Sequence, residues 1–284
     1  MALLPDEELL SLSPFFATGK GKALMSFLRR VVLPSFTKLY EENEKYHGAE
    51  FADHVLRDQG VDYLVGGVDV LRNLPDGPFI TVSNHPYGGV DGLVLVDLIR
   101  HLKPDFMVMV NKILSVLHPM EEAFISVTPN GESVGKPTLE SISGTRRALV
   151  HIREGHPLGL FPSGAVSDLS LKEGCIRDRK WQRPIIRFIM KAGVPVIPVR
   201  FFDRNTLFYY ILGLIDWRVR LLRLPKEVTN KGGKILRVAF GEPISPERQA
   251  LFGNDPDAFG KFLRESVYGM PLPEKFIKRS ELCL

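Results

Sequence analysis

Cysteine is nearly absent: Cys175 and Cys283 are the two in 284 residues, far apart and without partners at metal-ligand spacing. That excludes a disulfide framework and a zinc site, and it suits a reducing, cytosolic setting. Long apolar runs are missing as well, since none reaches the roughly 18–20 residues of a membrane-spanning helix. The longest, Leu207 to Ile215, stops at Asp216. The first residues, Met1-Ala2-Leu3-Leu4-Pro5-Asp6-Glu7-Glu8, include acidic ones where a secretory signal would be basic, so no export signal is expected. Internal repeats and low-complexity tracts are absent. Charge is only mildly one-sided, a net +4, which suits an anionic partner without choosing among nucleic acid, anionic lipid and a phosphorylated cofactor.

The stretch Asn84-His85-Pro86-Tyr87-Gly88-Gly89-Val90-Asp91 places a histidine and a carboxylate in one short glycine-containing turn. The apolar run Pro78 to Ser83 reads as a buried strand leading in, and Asp91 to Ile99 as a helix leading out. Open α/β sheets put their chemistry at such strand ends. A histidine oriented by an acid can accept a proton near neutral pH. A His-Pro turn with Asp91 as a helix cap explains the same residues.

Residues from about Leu9 to Arg57 read as helical, broken at Pro14, Pro34 and near Gly48. From Val61 onward short apolar strands alternate with helices. The strands are Phe79 to Val82, Phe106 to Val110, Pro157 to Phe161, Val196 to Phe201 and Ile235 to Phe240, and the helices include Leu139 to Arg153 and Arg183 to Ala192. This alternation predicts an α/β fold, a mixed central sheet flanked by helices, with a helical N-terminal region at 1–60 and the α/β domain at 61–284. Pro246 to Arg264 reads as helical with a loop at Gly253 to Pro256.

A second turn follows another strand, at Phe161-Pro162-Ser163-Gly164-Ala165-Val166-Ser167, where backbone N–H groups, at Gly164 and its neighbours, could receive an oxyanion or phosphate. In Val194-Pro195-Val196-Ile197-Pro198-Val199-Arg200-Phe201, Pro198 removes a ladder donor, which predicts an edge strand or a bulge. Two segments mix apolar residues with basic ones: Lys20 to Leu33, and Leu207 to Leu224. They read either as interfacial helices or as a core helix beside an exposed one.

Taken in order, these elements resemble the glycerolipid acyltransferase family of HxD type, with its Asn-His-(x)-Asp block, Phe-Pro-x-Gly block and late Val-Pro-Val strand. Asn84 to Gly92 and Phe161 to Ser167 resemble most closely its hemolysin-related branch, the ornithine-lipid and glycine-lipid O-acyltransferases, and Arg220-Leu221-Leu222 and Gly241-Glu242-Pro243-Ile244 look like that branch too. The departures are informative. The family at large places four residues between the histidine and the aspartate, whereas here five intervene, Pro86 to Val90. Members that form phosphatidate carry Phe-Pro-Glu-Gly-Thr-Arg, where this chain has Ser163, Ala165 and Val166. Phe124-Ile125-Ser126-Val127 also lacks the arginine of the family's Phe-Ile-x-Arg block.

The resemblance implies O-acyl transfer from an acyl thioester, acyl-ACP or acyl-CoA as co-substrate, to the hydroxyl of a lyso-lipid. It implies His85 as general base and Asp91 as its partner, with Asn84, Gly88, Gly89, Phe161, Pro162, Ser163, Gly164, Arg177 and Arg200 around the substrate. It implies no bound cofactor, no metal, no nucleic acid, and peripheral residence on the cytoplasmic face of a bacterial inner membrane. Leu24, Phe27, Leu28 and the 208–217 region are then expected at the interface, with Lys20, Lys22, Arg29 and Arg30 near head groups. The favoured acceptor is a lyso-aminolipid of ornithine- or glycine-lipid type. The alternatives are a 1-acyl-glycerol-3-phosphate acyltransferase making phosphatidate, a serine hydrolase built on Ser163, and a non-catalytic, hemolysin-like membrane-binding protein.

Overall fold

The computed structural model describes residues 33–127, 139–215 and 217–284, together with Thr18, Gly19, Lys22 and Ser26. Lys20, Leu24, Phe27, Leu28, Arg29 and Arg30, expected above at a lipid surface, lie outside the described residues, whereas Lys22 is described and exposed.

Helices α1 (Leu33–Asn43) and α2 (Gly48–Asp58) precede strand β1 (Leu64–Gly66). Next come α3 (Val68–Arg72), β2 (Ile80–Ser83), α4 (Gly89–Arg100), β3 (Met107–Asn111), β4 (Phe124–Val127), α5 (Leu139–Arg153) and β5 (Leu158–Leu160). A small hairpin, β6 (Asp168–Ser170) and β7 (Cys175–Arg177), leads to α6 (Arg183–Ala192) and β8 (Val196–Phe201). The chain then forms α7 (Leu207–Ile215), α8 (Trp217–Thr229), β9 (Arg237–Phe240), α9 (Pro246–Ala250), α10 (Pro256–Tyr268) and β10 (Ile277–Lys278).

Eight strands make one sheet in the order β10-β1-β9-β8-β2-β5-β3-β4. From β8 to β4 all neighbours are parallel; β9 runs antiparallel to β8 and parallel to β1, and β10 runs antiparallel to β1. The expected mixed α/β sheet is therefore what forms. Its parallel part is covered on both faces, which is why β2 reads as an unbroken run with all four residues buried. Alternation sorts the side chains: Met107 and Met109 of β3 pack with residues of α5, α6 and α10, whereas Val108 and Val110 pack with residues of α2 and α4.

Local signals set the helix ends. Arg183–Ala192 starts with Pro184 in its first turn, where the missing N–H has no intrahelical acceptor to lose, and stops at Gly193, whose φ of 62° is left-handed. Asp255 caps α10, accepting from the N–H groups of Asp257 and Ala258.

The edge reading of Val196–Phe201 is corrected: β8 lies between β2 and β9. Pro198 pairs with Val82 on the β2 side, and its carbonyl accepts from Gly241 on the other. There the ladder skips from Val199–Phe240 to the isolated bridge Val196–Ile244, so Gly241-Glu242-Pro243 oppose Ile197-Pro198. A bulge in the neighbouring chain absorbs the missing donor.

Candidate active site

Two turns leave the C-terminal ends of adjacent parallel strands, β2 and β5, which pair through Val82 and Leu160. In the first, Asn84 uses both ends of its amide on one residue: Nδ2 donates to the Phe201 carbonyl and Oδ1 accepts from the Phe201 N–H, each at 2.8 Å. The side chain thus extends the β2–β8 ladder one step beyond the last strand residue. That clamp sets where His85 leaves the sheet.

Gly88 then turns the chain into α4 with φ 80° and ψ −120°, a region that residues with a Cβ avoid. A Cβ there would also lie 2.9 Å from Leu224 of α8, whereas one on Gly89 would meet nothing within 4 Å. Gly88 is therefore the glycine that accommodates the five-residue spacer, and His85 and Asp91 meet across it. Oδ2 of Asp91 accepts from the N–H groups of Tyr87 at 2.9 Å and Gly88 at 3.0 Å. Nδ1 of His85 lies 2.9 Å from the same oxygen, off the line of a straight hydrogen bond, in the loose pairing common before substrate arrives.

Asp91 has no solvent exposure, whereas the His85 side chain keeps 18%, so the imidazole is the member of the pair that substrate can reach. Burial pushes the Asp91 carboxyl above its usual range, against the pull of His85 and the two amides. The ring packs on Phe161 of the second turn, with centroids 4.2 Å apart.

Asp178 joins the two turns. Its Oδ1 accepts from the His85 N–H at 3.1 Å and from the Ser167 hydroxyl at 2.6 Å, and its Oδ2 accepts from the Trp181 indole at 3.1 Å. The Ser167 N–H donates in turn to the His85 carbonyl at 2.8 Å. Arg220 of α8 secures the same segment, donating to the carbonyls of Ser167 and Val166 and pairing with Asp168. Ser167 and Arg220 stand inside sequence motifs, whereas Asp178, 93 residues from His85, carries no periodic or spacing signal and emerges only from the fold.

In the second turn the Gly164 N–H donates to the Phe161 carbonyl at 2.9 Å. The turn itself thus uses this N–H, one of the amides expected at an oxyanion. The Pro162 carbonyl accepts from the Gln182 N–H and the Ser163 carbonyl from its Nε2, while the Ser163 hydroxyl donates to the Ala165 carbonyl at 2.7 Å. Ser163 is buried and its hydroxyl is engaged away from His85, which removes the hydrolase reading. Gly164 holds φ 65°, and a Cβ would press on Gln182 Nε2. Gly164→Ala is expected to lose about 1–2 kcal/mol in urea unfolding from the left-handed backbone. An unchanged midpoint would mean the turn relaxes freely.

Arg177 and Arg200 come together as walls of a cleft of about 520 Å³ that also touches Asn84, Pro86, Tyr87 and Ser167, with His85 itself outside the lining. Arg200 donates to the Tyr268 and Met270 carbonyls and lies over the Phe202 ring, tying β8 to the end of α10. Arg177 sits over the Tyr268 ring. Deeper in, Lys231 is buried above the Tyr87 ring, 4.6 Å from its centre, and bonded to Asn205, whose amide donates to the Tyr87 carbonyl.

α7 combines both readings of its sequence. Tyr209 and Tyr210 are buried, the Tyr210 hydroxyl donating to the Pro86 carbonyl at 2.9 Å, while Leu207, Phe208, Ile211 and Leu214 are 43–57% exposed. Among the described residues no helix is long and apolar enough to cross a membrane, and no group of three His, Cys, Asp or Glu is placed to hold a metal.

The lyso-glycine lipid O-acyltransferase of Bacteroides thetaiotaomicron is 25% identical to this chain over 258 residues, covering 87% of the chain and 89% of the relative. That of Phocaeicola vulgatus is 24% identical over 256 residues, 86% of each. The crystal structure of the 1-acyl-sn-glycerophosphate (LPA) acyltransferase PlsC from Thermotoga maritima superposes with a TM-score of 0.49 at 16% identity, with 93% of each chain covered. A family model described as acyltransferase matches residues 20–269, a span that contains both turns, the His85–Asp91 pair and the α7–α8 hairpin over them. The chain belongs to the acyltransferase family.

Proposed function

We propose that the chain moves a fatty acyl group from a thioester, acyl-CoA or acyl-ACP, to the hydroxyl of a lyso-lipid, with a lyso-lipid of glycine-lipid type as the favoured acceptor. The observation that carries the reaction is the part-exposed imidazole beside a buried carboxylate. His85 removes the proton as the hydroxyl oxygen attacks the thioester carbonyl. The tetrahedral adduct then expels the thiolate, which takes the proton back from His85. The new ester and a free thiol leave the site. Asp91 holds the ring and stabilises the imidazolium between the two proton transfers.

The choice of acceptor rests on two supports. Both curated relatives are named for a lyso-glycine lipid. The glutamate, threonine and arginine that phosphatidate-forming members carry are replaced by Ser163, Ala165 and Val166. Lipid extracts from cells lacking the protein test this reading. They should lose an O-acylated glycine lipid and accumulate its monoacyl precursor; an intact glycine-lipid profile with a depleted phosphatidate pool would transfer the assignment to lysophosphatidate.

A lipid hydroxyl is met at a bilayer surface, and the exposed stripe Leu207, Phe208, Ile211 and Leu214 on α7 has the form of an interfacial helix face. Arg223, which pairs with Glu227, lies over the Phe208 ring. The double substitution Phe208→Ser/Ile211→Ser is expected to cut co-flotation with anionic vesicles several-fold. Recovery equal to the parent chain would remove α7 from the docking surface.

A further inference from the structure

We infer that the cleft walled by Arg177, Arg200, Arg204, Lys231 and Lys234 receives the phosphorylated end of the phosphopantetheine thioester donor. The assignment rests on the acyl-transfer reading above. It adds a second, anionic subsite to the His85 turn.

Position comes first. The cleft reaches the catalytic turns through Asn84, Pro86, Tyr87 and Ser167, which flank His85 in the chain or bond to it, yet His85 does not line it. A ligand lodged there leaves the imidazole free and ends close beside it. That is the placement a long donor needs when its reactive carbonyl lies at the far end of a flexible arm.

Charge comes second. Five cationic side chains line the cleft against one acid, Asp203, and that acid is already bonded to the Nε and main-chain N–H of Arg237. Arg204 and Lys234 are exposed and make no ion pair among the described residues. Lys231 has Glu227 at 3.7 Å, but burial still draws its ammonium down to about 8, so a nearby anion would relieve it.

Size decides between donor and acceptor. A volume of about 520 Å³ falls within the range of cofactor-sized sites. The lone carboxylate of a glycine head group would answer one of five cations and leave most of that space unfilled. Phosphate and diphosphate groups answer several at once. Ile176, Phe202 and Ile235 add an apolar wall for the uncharged part of such a ligand.

Phosphopantetheine comes either on coenzyme A or on an acyl carrier protein, and calorimetric titration separates the two. The probes are coenzyme A, holo acyl carrier protein and pantetheine, which has no phosphate, against the parent chain and Arg204→Ser/Lys234→Ser, two exposed positions whose change spares the fold. Coenzyme A, the carrier protein or both should bind, about tenfold more weakly to the variant, as expected for lost bonds to a charged group. Pantetheine should bind both chains alike. The KM for the donor should rise with that for the acceptor unchanged. Binding of coenzyme A alone would identify a nucleotide-bearing donor, and of the carrier protein alone a protein-borne one. Affinity that the substitutions leave unchanged, an equal loss with pantetheine, or a rise confined to the acceptor KM would overturn the inference. Binding is read without turnover, so a chain that binds coenzyme A through these residues but transfers no acyl group would defeat the acyl-transfer reading and leave the anion site standing.

Discussion

His85→Ala is expected to fold as the parent chain does and to lose acyl transfer by at least about 10²- to 10⁴-fold in kcat, the range general-base catalysis supplies. Folding survives because the Asp91 oxygen facing His85 keeps the Tyr87 and Gly88 amides, and because the main-chain bonds of His85 to Ser167 and Asp178 do not involve the ring. The loss should fall on kcat, since proton removal belongs to the transition state more than to binding. Asp91→Asn keeps the same outline and should also lower kcat while leaving unfolding by urea little changed. Circular dichroism with single-turnover kinetics separates these effects. A folded His85→Ala chain that transfers at the parent rate would take the base away from His85.

Arg279→Ala is expected to destabilise the protein by about 3–5 kcal/mol, the cost of leaving a buried charge without its partner. Arg279 follows β10 and donates to Asp97 of α4 through Nε at 2.8 Å and Nη2 at 2.7 Å, with the Tyr63 hydroxyl and His101 on the same carboxylate. Burial raises the Asp97 pKa, but the bonds from His101, Arg279 and Tyr63 outweigh it, and the net direction is down. A depressed carboxylate stabilises the fold above its unfolded pKa of about 3.9, and that contribution goes as pH falls through the folded value. The deficit of Arg279→Ala should therefore be full at neutral pH and shrink in strong acid. Asp97→Asn/Arg279→Met should recover part of it, since no unpaired charge remains. A shift below about 1 kcal/mol at neutral pH would mean that solvent reaches Asp97 once the arginine is gone.

Much of the fold was legible because its strongest physical constraints are local. The parallel strands are buried on both faces and so read as unbroken apolar runs, and Pro184 and Gly193 bracket their helix in the sequence as in the structure. The β6–β7 hairpin was not legible, because its short strands are only partly buried and show no alternation. Nor was the position of β8, because Pro198 announces a missing donor that either an edge or a bulge would explain, and only the pairing shows an interior strand with the bulge in its neighbour. At the site, the turn residues could be named from their motif, yet the work of each needed tertiary contacts. Asn84 meets Phe201 across 117 positions, and Asp178 and Arg220 reach the turns from β7's exit and from α8. The motif marks Gly164 as an amide donor, and only the fold shows that its N–H is given to the Phe161 carbonyl.

The most direct test of acyl transfer by the His85–Asp91 pair is product analysis. Purified protein is given an acyl thioester and vesicles containing lyso-glycine lipid, and ester and thiol are counted by mass spectrometry. The expected result is one O-acylated lipid for each thiol released, with both formed at least about a hundredfold more slowly by His85→Ala. Thiol release without a lipid ester, or equal ester from His85→Ala, would contradict the account.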